Sequence, residues 1–222
     1  MENTELFSKA SPESRAKILA YAVIAKYKKG EYLFRMREKV SSVYILVSGY
    51  AVLERVNRNN DRRAIFLLGE GTMLNEIILQ RPESSINCYA KTEVTVVKIS
   101  REQFLEIMEG DFGFTRMVMD SMSDKIRRLY HQVENTTKMM KLDKQIASRI
   151  WKFSRDYGIE YPEYRELPFR MSITFLAELV GSNRETVSRI IRDFSDQGLL
   201  SIRNGVCRVY DMDGLTTKIW ET

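Results

Sequence analysis

One short segment of the sequence carries residues suited to reading nucleic acid. In the run GSNRETVSRIIRDF, apolar side chains recur at helical spacing: Val187, Ile190, Ile191 and Phe194. Polar side chains share the opposite face of the same helix: Arg184, Glu185, Ser188, Arg189 and Arg192. Arginine presents two donors to O6 and N7 of guanine, and glutamate can accept from N4 of cytosine. This face therefore has the chemistry to read base edges in a duplex groove.

The residues just before this helix suit phosphate contacts. Ser182 and Asn183 offer short polar side chains and backbone N–H groups at a helix start, where anions bind well. Further upstream, Ser172 can cap a short helix, and Gly181 supplies the turn between the two helices. The spacing predicts a helix-turn-helix.

Two apolar-alternating runs, 198–202 and 206–210, flank Asn204-Gly205, which is a strong hairpin signal. The hairpin adds a wing to the predicted helix-turn-helix. An ordinary helical hairpin with a solvated charged face is the alternative. The wing and a dimerising helix upstream disfavour that alternative.

That upstream helix carries apolar residues with alternating gaps of three and four, the a/d seam of a coiled coil. The seam comprises Met119, Met122, Ile126, Leu129, Val133, Thr136 and Met140. The N-terminal part of the chain could cover this stripe, but the unbroken 3.5-residue period favours pairing with a second copy. After Leu142, Asp143 is placed to N-cap a new helix.

Residues 21–99 contain short β-type runs, clearest at 43–47, 50–56, 64–68 and 94–99. Short strands at this spacing predict an antiparallel sandwich or barrel. Residues 57–63 predict a solvent-exposed hairpin end. After Ser100 the apolar spacing becomes helical.

Composition excludes several classes of protein. The 222 residues are 44% hydrophobic and 29% charged, as in globular proteins, and the net charge is +5. No apolar segment is long enough to span a bilayer or resembles a signal peptide, so we expect a cytoplasmic protein without membrane contact. Cys88 and Cys207 cannot form a metal site by themselves, so no metal is expected.

Catalytic signatures are missing from the sequence. GxGxxG, GxxxxGK[ST], HExxH and GxSxG do not occur, and one histidine leaves little material for acid-base chemistry. Glu76 is a lone carboxylate for which the sequence offers no evident partner. We therefore expect no enzyme and no catalytic residue.

Two segments carry a resemblance to a known family. GSNRETVSRI with the Gly-Leu-Leu wing resembles the DNA-binding domain of the Crp/Fnr regulators. LVSGYAVLERVNRNNDRRAIFLLGEGTMLNE is similar to their cyclic-nucleotide-binding-type β-domain. The resemblance extends from about Lys29 to Leu215.

The resemblance implies an α+β fold with an N-terminal antiparallel β-roll or jelly-roll sensor domain (1–110), a long dimerisation helix (111–141) and a C-terminal winged helix-turn-helix domain (142–222). It implies a homodimeric transcription regulator in which a small effector or redox signal re-aims the paired helix-turn-helix units. Its partners would be double-stranded DNA, a second copy and RNA polymerase.

The resemblance also assigns residue roles. Arg184, Glu185 and Arg189 match base-reading residues of members that recognise TGTGA-like half-sites. Contacts that position the DNA, mainly through phosphate, are predicted for a larger set: Ser172, Thr174, Ser182, Asn183, Ser188 and Arg192.

The effector region departs from the family pattern. Cyclic-nucleotide-responsive members use Gly-Glu for the ribose and Arg-Ser or Arg-Thr for the phosphate, where this chain has Asn75-Glu76 and Ser84-Ser85. The arginine is missing, and with it a charge-assisted contact worth roughly 1.5 to 3 kcal/mol. We therefore predict an unidentified effector other than cyclic AMP, bound between the β-domain and the helix. The predicted effector pocket is Asn75, Glu76, Ser84, Ser85, Tyr130, Gln132 and Val133.

Other sensing modes of the family find little support. Its iron-sulfur members need four cysteines, and the single histidine, His131, lies on the predicted dimer helix, so neither a cluster nor haem is expected. Three alternatives stay open: thiol sensing by Cys88 or Cys207, DNA binding without any ligand, and a cyclic-nucleotide-type module that acts through protein partners.

Overall fold

The computed structural model describes residues 10–136 and 140–220, and the side chains of 134–136 lie outside that description. The chain divides into two compact units, Met1–Leu129 and Tyr130–Thr222. The first unit contains α1 (Pro12–Tyr21), β1 (Val23–Tyr27), β2 (Tyr32–Phe34), β3 (Ser42–Ser48), β4 (Ala51–Val56), β5 (Arg62–Leu68), a 3₁₀ turn (Glu76–Leu79), β6 (Asn87–Ala90), β7 (Val94–Ser100), α2 (Arg101–Gly110) and most of α3 (Phe112–Thr136).

The strands of the first unit form two antiparallel sheets. Their orders are β1-β7-β3 and β2-β6-β4-β5. Apolar residues of both sheets join one buried cluster, which includes Val43, Leu53, Val96 and Ile99. Residues 43–46 of β3 and residues 51–54 of β4 are buried in unbroken runs, so these strands are covered on both faces, and burial of their apolar side chains drives the packing of the sheets. The predicted antiparallel β-domain is confirmed.

The hairpin between β4 and β5 is shorter than the sequence indicated. Arg62 and Arg63 belong to β5, where they pair with Val56 and Arg55, so only 57–61 form the turn. Oδ1 of Asn57 accepts the backbone N–H groups of residues 59 and 61, both at 2.9 Å, which closes the turn locally. The strands β1, β2 and β6 were not among the clearest runs in the sequence.

The long helix α3 begins at a cap and ends earlier than the heptad pattern predicts. Oδ1 of Asp111 accepts the N–H of Phe114 at 3.0 Å and so caps its first turn. Its 25 residues correspond to about 37 Å of helix. Met140 lies in a bend rather than on α3, which corrects the last position of the predicted seam. The side chain of Thr136 lies outside the described residues.

The second unit contains the end of α3 followed by α4 (Leu142–Tyr157), β8 (Ile159–Glu160), β9 (Arg165–Glu166), α5 (Ile173–Val180), α6 (Arg184–Asp196), β10 (Leu200–Arg203), β11 (Val206–Val209) and α7 (Met212–Trp220). Its four strands form one antiparallel sheet in the order β10-β11-β9-β8. The bounds 1–110, 111–141 and 142–222 stay a prediction, since the two units divide within α3.

The start of α4 corrects one cap assignment. Lys141 occupies the N-cap position, and Asp143 lies in the first turn, where Oδ1 accepts the N–H of Lys144 at 2.9 Å. A carboxylate in the first turn is favourable near the positive end of the helix dipole without being the cap. The composition of the segment therefore predicted the helix but not the position of its cap.

The helix-turn-helix and the wing follow local rules. Gly181 ends α5 in the left-handed conformation at φ 67°, where a side chain would add strain. Asn204 and Gly205 both have positive φ, 49° and 78°, as a two-residue hairpin turn requires. β10 and β11 pair on either side of this turn, so the wing is confirmed.

Candidate nucleic-acid interface and effector region

The helix α6 presents the predicted base-reading residues on its exposed side. Three apolar side chains anchor it in the unit: Val187, Ile191 and Phe194 are buried. Arg184, Glu185 and Arg189 are exposed on the opposite side of the helix. Arg192 is exposed and Ser188 is half-buried. The structure therefore brings the predicted reading residues together on one helix.

The two helix starts use some of the predicted phosphate-contacting side chains as caps. Oγ of Ser172 accepts the N–H of Phe175 at 3.1 Å, and Oδ1 of Asn183 accepts the N–H of Thr186 at 2.8 Å. A phosphate contact would therefore use the donors of these side chains, the Ser172 hydroxyl and the Asn183 amide nitrogen. Thr174 is exposed and Ser182 is half-buried.

The wing brings two cations that the sequence reasoning missed. The Arg170 guanidinium donates to the carbonyl oxygen of Asn204 and holds the turn beside the segment that leads into α5. Arg203 is exposed immediately before the same turn. The sequence alone could have indicated Arg203 as a residue of the wing, because it directly precedes the Asn-Gly turn. The contact between Arg170 and Asn204 could not be predicted from the sequence, because 34 residues separate the two.

Asn75, predicted to line the effector pocket, has a structural role. Its Oδ1 accepts the N–H of Tyr44 at 2.8 Å, and its amide nitrogen donates to the carbonyl of Ser42 at 2.8 Å. The side chain is 2% exposed. Asn75 therefore ties the 3₁₀ turn to β3.

Glu76 has partners on α3, which corrects its description as a lone carboxylate. Ser121 Oγ donates to Oε1 of Glu76 at 2.6 Å, and Lys125 Nζ donates to Oε2. Lys125 also donates to the carbonyl of Met73 at 2.6 Å. Desolvation lowers the pKa of Lys125, and the attraction of Glu76 opposes this effect. A cation therefore lies at this loop, but it comes from α3 and already pairs with the carboxylate.

The other predicted pocket residues fall into two groups. Ser84 is buried, and its Oγ donates to the carbonyl of Ile86 at 2.7 Å, while Ser85 is half-buried. The second group lies further along α3, in the second unit: Tyr130, Gln132 and Val133. A site shared by the two groups stays a prediction.

The described part of the predicted seam is exposed on α3. The exposed fractions are 56% for Met119, 38% for Met122, 47% for Ile126, 40% for Leu129 and 61% for Val133. Phe112, 76% exposed, precedes Met119 by seven residues and therefore falls on the same stripe. The predicted seam therefore began one heptad too late, although the seven-residue spacing between Phe112 and Met119 already indicated that Phe112 belongs to it.

Both thiols are buried, and burial raises their pKa values. Cys88 and Cys207 are each 0% exposed. The pKa of Cys207 is raised to about 12, and that of Cys88 is raised as well. A buried thiol that resists ionisation reacts slowly, because the thiolate is the nucleophile. Their environments favour packing over redox sensing.

Neither a metal cluster nor a membrane span is found within 10–136 and 140–220. No three His, Cys, Asp or Glu side chains of these ranges come together in a way that could hold a metal ion. None of the helices described there has the length and apolar character needed to cross a bilayer.

Family models match both halves of the chain. Residues 24–111 match the cyclic nucleotide-binding domain, and residues 144–217 match the Crp-like helix-turn-helix domain. The global nitrogen regulator of Synechococcus elongatus is 23% identical over 191 residues, which cover 85% of this chain and 86% of that protein. The cyclic AMP receptor protein of Thermus thermophilus is 22% identical over 218 residues, 94% of each chain.

Solved structures share the fold. The regulator CLP of Xanthomonas campestris superimposes with a TM-score of 0.79 at 17% identity, covering 90% of this chain and 100% of that one. FixK2 of Bradyrhizobium japonicum also gives a TM-score of 0.79, at 16% identity over 90% and 98% of the two chains. With both domain models matched in this order, the chain belongs to the Crp/Fnr family of transcription regulators.

Proposed function

We propose that the protein binds operator DNA as a homodimer and reads its sequence with Arg184, Glu185 and Arg189. One observation carries this proposal: all three side chains are exposed on α6, while Val187 and Ile191 anchor the helix from the other side. An exposed arginine on such a helix can make a bidentate contact with guanine, and the glutamate can accept from cytosine. The predicted half-site is TGTGA-like.

Dimerisation is proposed through parallel pairing of α3. The exposed stripe from Phe112 to Val133 spans about 31 Å of helix at 1.5 Å per residue, and it repeats with the period of a two-stranded coiled coil. A twofold dimer presents two copies of α6, so the operator should be palindromic with half-sites about one helical turn apart or a multiple of it. The wing cations Arg170 and Arg203 would add phosphate contacts.

Control by a small effector other than a cyclic nucleotide is part of the proposal. The side chains of Asn75, Glu76 and Ser84 already bond within the chain, and Ser84 stands where a phosphate-binding arginine would be. These residues do not fit a cyclic nucleotide as the family pattern would hold it. An effector that binds Oε2 of Glu76 in place of the present partner must displace Lys125.

Three further expectations stay predictions. RNA polymerase is an expected partner of a transcription regulator. A cytoplasmic location follows from a chromosomal target. Two relatives that match over most of the chain are named a global nitrogen regulator and a cyclic AMP receptor protein, and we propose no enzymatic activity.

Selection of bound duplexes from a random pool tests the proposal. We expect enrichment of an inverted repeat with TGTGA-like half-sites and a dimer mass in sedimentation at working concentrations. Failure to enrich any sequence would favour the alternative module that acts through protein partners. Titration calorimetry with cyclic AMP should give no binding heat at micromolar protein, and tight binding would contradict the effector proposal.

A further inference from the structure

The effector loop holds its buried carboxylate with groups of the same chain. Glu76 is 3% exposed, and both of its oxygens have partners: Ser121 on Oε1 and Lys125 on Oε2. The side chain of Lys125 is only 15% exposed. A carboxylate buried without partners would be costly, and here the long helix supplies both of them.

These contacts form a bridge between the β-domain and α3. Ser121 and Lys125 are four residues apart and so lie one above the other on one face of the helix. Lys125 also donates to the carbonyl of Met73, three residues before Glu76. Three hydrogen bonds therefore join residues 73–76 to one turn of α3.

The bridge lies on the side of α3 that packs against the β-domain, where Phe114 and Val118 are also buried, and the exposed stripe lies beside it. Met122 and Ile126 each follow a bridging residue directly, about 100° further around the helix. They are 38% and 47% exposed. A rotation of α3 that broke the bridge would change how this stripe is presented. The bridging residues and the exposed stripe therefore lie on adjacent faces of the same two turns of α3.

We infer that Lys125 and Ser121 act as a built-in ligand of Glu76, so that the protein binds its operator without any small molecule. In this arrangement the side chains of α3 supply the hydrogen bonds that a bound effector would otherwise exchange with the carboxylate. The seam for the second copy is then presented in the ligand-free chain. A compound that competes for Glu76 would weaken operator binding, so the effector proposed above would act as an inhibitor and not as an activator of DNA binding. This inference rests on the proposed DNA-binding function.

The test uses full-length protein refolded from denaturant, which removes carried-over small molecules. Its affinity for the selected operator duplex is compared with that of the double variant Glu76→Gln/Lys125→Met, which removes both charges and leaves no buried ion unpaired. We expect tight operator binding by the refolded wild type and at least a tenfold loss in the double variant. Arg127→Met is the matched control, an exposed cation on the same helix, and should stay within about threefold of wild type.

Two results would overturn the inference: refolded wild type that binds operator only after a metabolite extract is added, or a double variant that binds as wild type does. Hydrogen exchange of the amides of residues 116–129 gives a readout independent of DNA. Faster exchange in the double variant supports the bridge even if no operator is ever selected, in which case only the proposed function fails. Unchanged exchange counts against the bridge itself.

Discussion

The backbone N–H of Ser11 donates to Oδ2 of Asp111 at 2.7 Å, which ties the N-terminus of α1 to the start of α3. The other carboxylate oxygen of Asp111 accepts the N–H of Phe114 at 3.0 Å. These two backbone donors hold the pKa of Asp111 well below its usual range. One carboxylate thus caps the long helix and anchors another element to it.

Replacing Asp111 should weaken the first unit in a pH-dependent way. Asp111→Asn keeps an acceptor but loses the charge, and we expect a loss of about 1 kcal/mol at pH 7. Because folding depresses this pKa, the contribution is complete above the unfolded value of about 4 and disappears as the pH falls below it. Urea unfolding of both proteins between pH 7 and pH 3 measures the difference. A difference that does not change with pH would contradict this role.

Arg189→Ala should lower operator affinity and relax specificity at one base pair. A lost bidentate contact costs about 1 to 3 kcal/mol. Fluorescence anisotropy on operator duplexes with each base pair changed in turn measures both effects. Arg192→Ala is the comparison, and it should weaken binding to all sequences alike and reduce the salt dependence. A loss below about twofold for Arg189→Ala would show that it does not read bases.

Ile126→Asp should dissociate the dimer. The substitution places a charge in the exposed stripe of α3, where a second copy would have to bury it without a partner. Sedimentation equilibrium should show a monomer, and operator affinity should fall because each monomer holds one half-site. Asp124→Asn, two residues away on the exposed surface of α3, is the control and should stay dimeric. An Ile126→Asp protein that remains dimeric would place the interface elsewhere.

Gly49→Ala should destabilise the turn between β3 and β4 strongly. A Cβ at this position would lie 2.1 Å from the carbonyl oxygen of Glu93, and φ is 83°. Gly30→Ala has a similar φ of 87° with no atom within 4 Å of the added Cβ, so it isolates the backbone strain of about 1 to 2 kcal/mol. We expect Gly49→Ala to cost a further 1 to 3 kcal/mol or so. Equal thermal unfolding of the two variants would contradict the close approach.

The thiols should be unreactive in the folded protein. Burial leaves Cys88 and Cys207 at 0% exposure and raises both pKa values. Titration with a thiol reagent at pH 8 should find no fast-reacting cysteine in native protein and two after denaturation. A native thiol that reacts as fast as a free small-molecule thiol would restore the redox-sensing alternative.

The sequence predicted those features that depend on near neighbours. The face of α6, the caps at Ser172 and Gly181, and the Asn204-Gly205 turn all follow from residues within a few positions of one another. Net charge was a poor guide, since residues 142–222 carry equal numbers of basic and acidic residues, 12 each. The grouping of charged residues on one face of α6 indicated DNA binding instead, and it can be recognised from the sequence because helical periodicity depends only on neighbouring residues.

Contacts between residues that are far apart in the sequence became known only from the tertiary structure. The sequence offered no partner for Glu76, and its partner Lys125 is 49 residues away, beyond the reach of any spacing rule. The seam predicted from the sequence began at Met119 and so omitted the exposed Phe112. It also extended to Met140, beyond the described end of α3. Periodicity determined which residues share a face of each helix. Packing decided which face is buried and which cation meets which carboxylate, since burial and ion pairing depend on distances in space that chain separation does not encode.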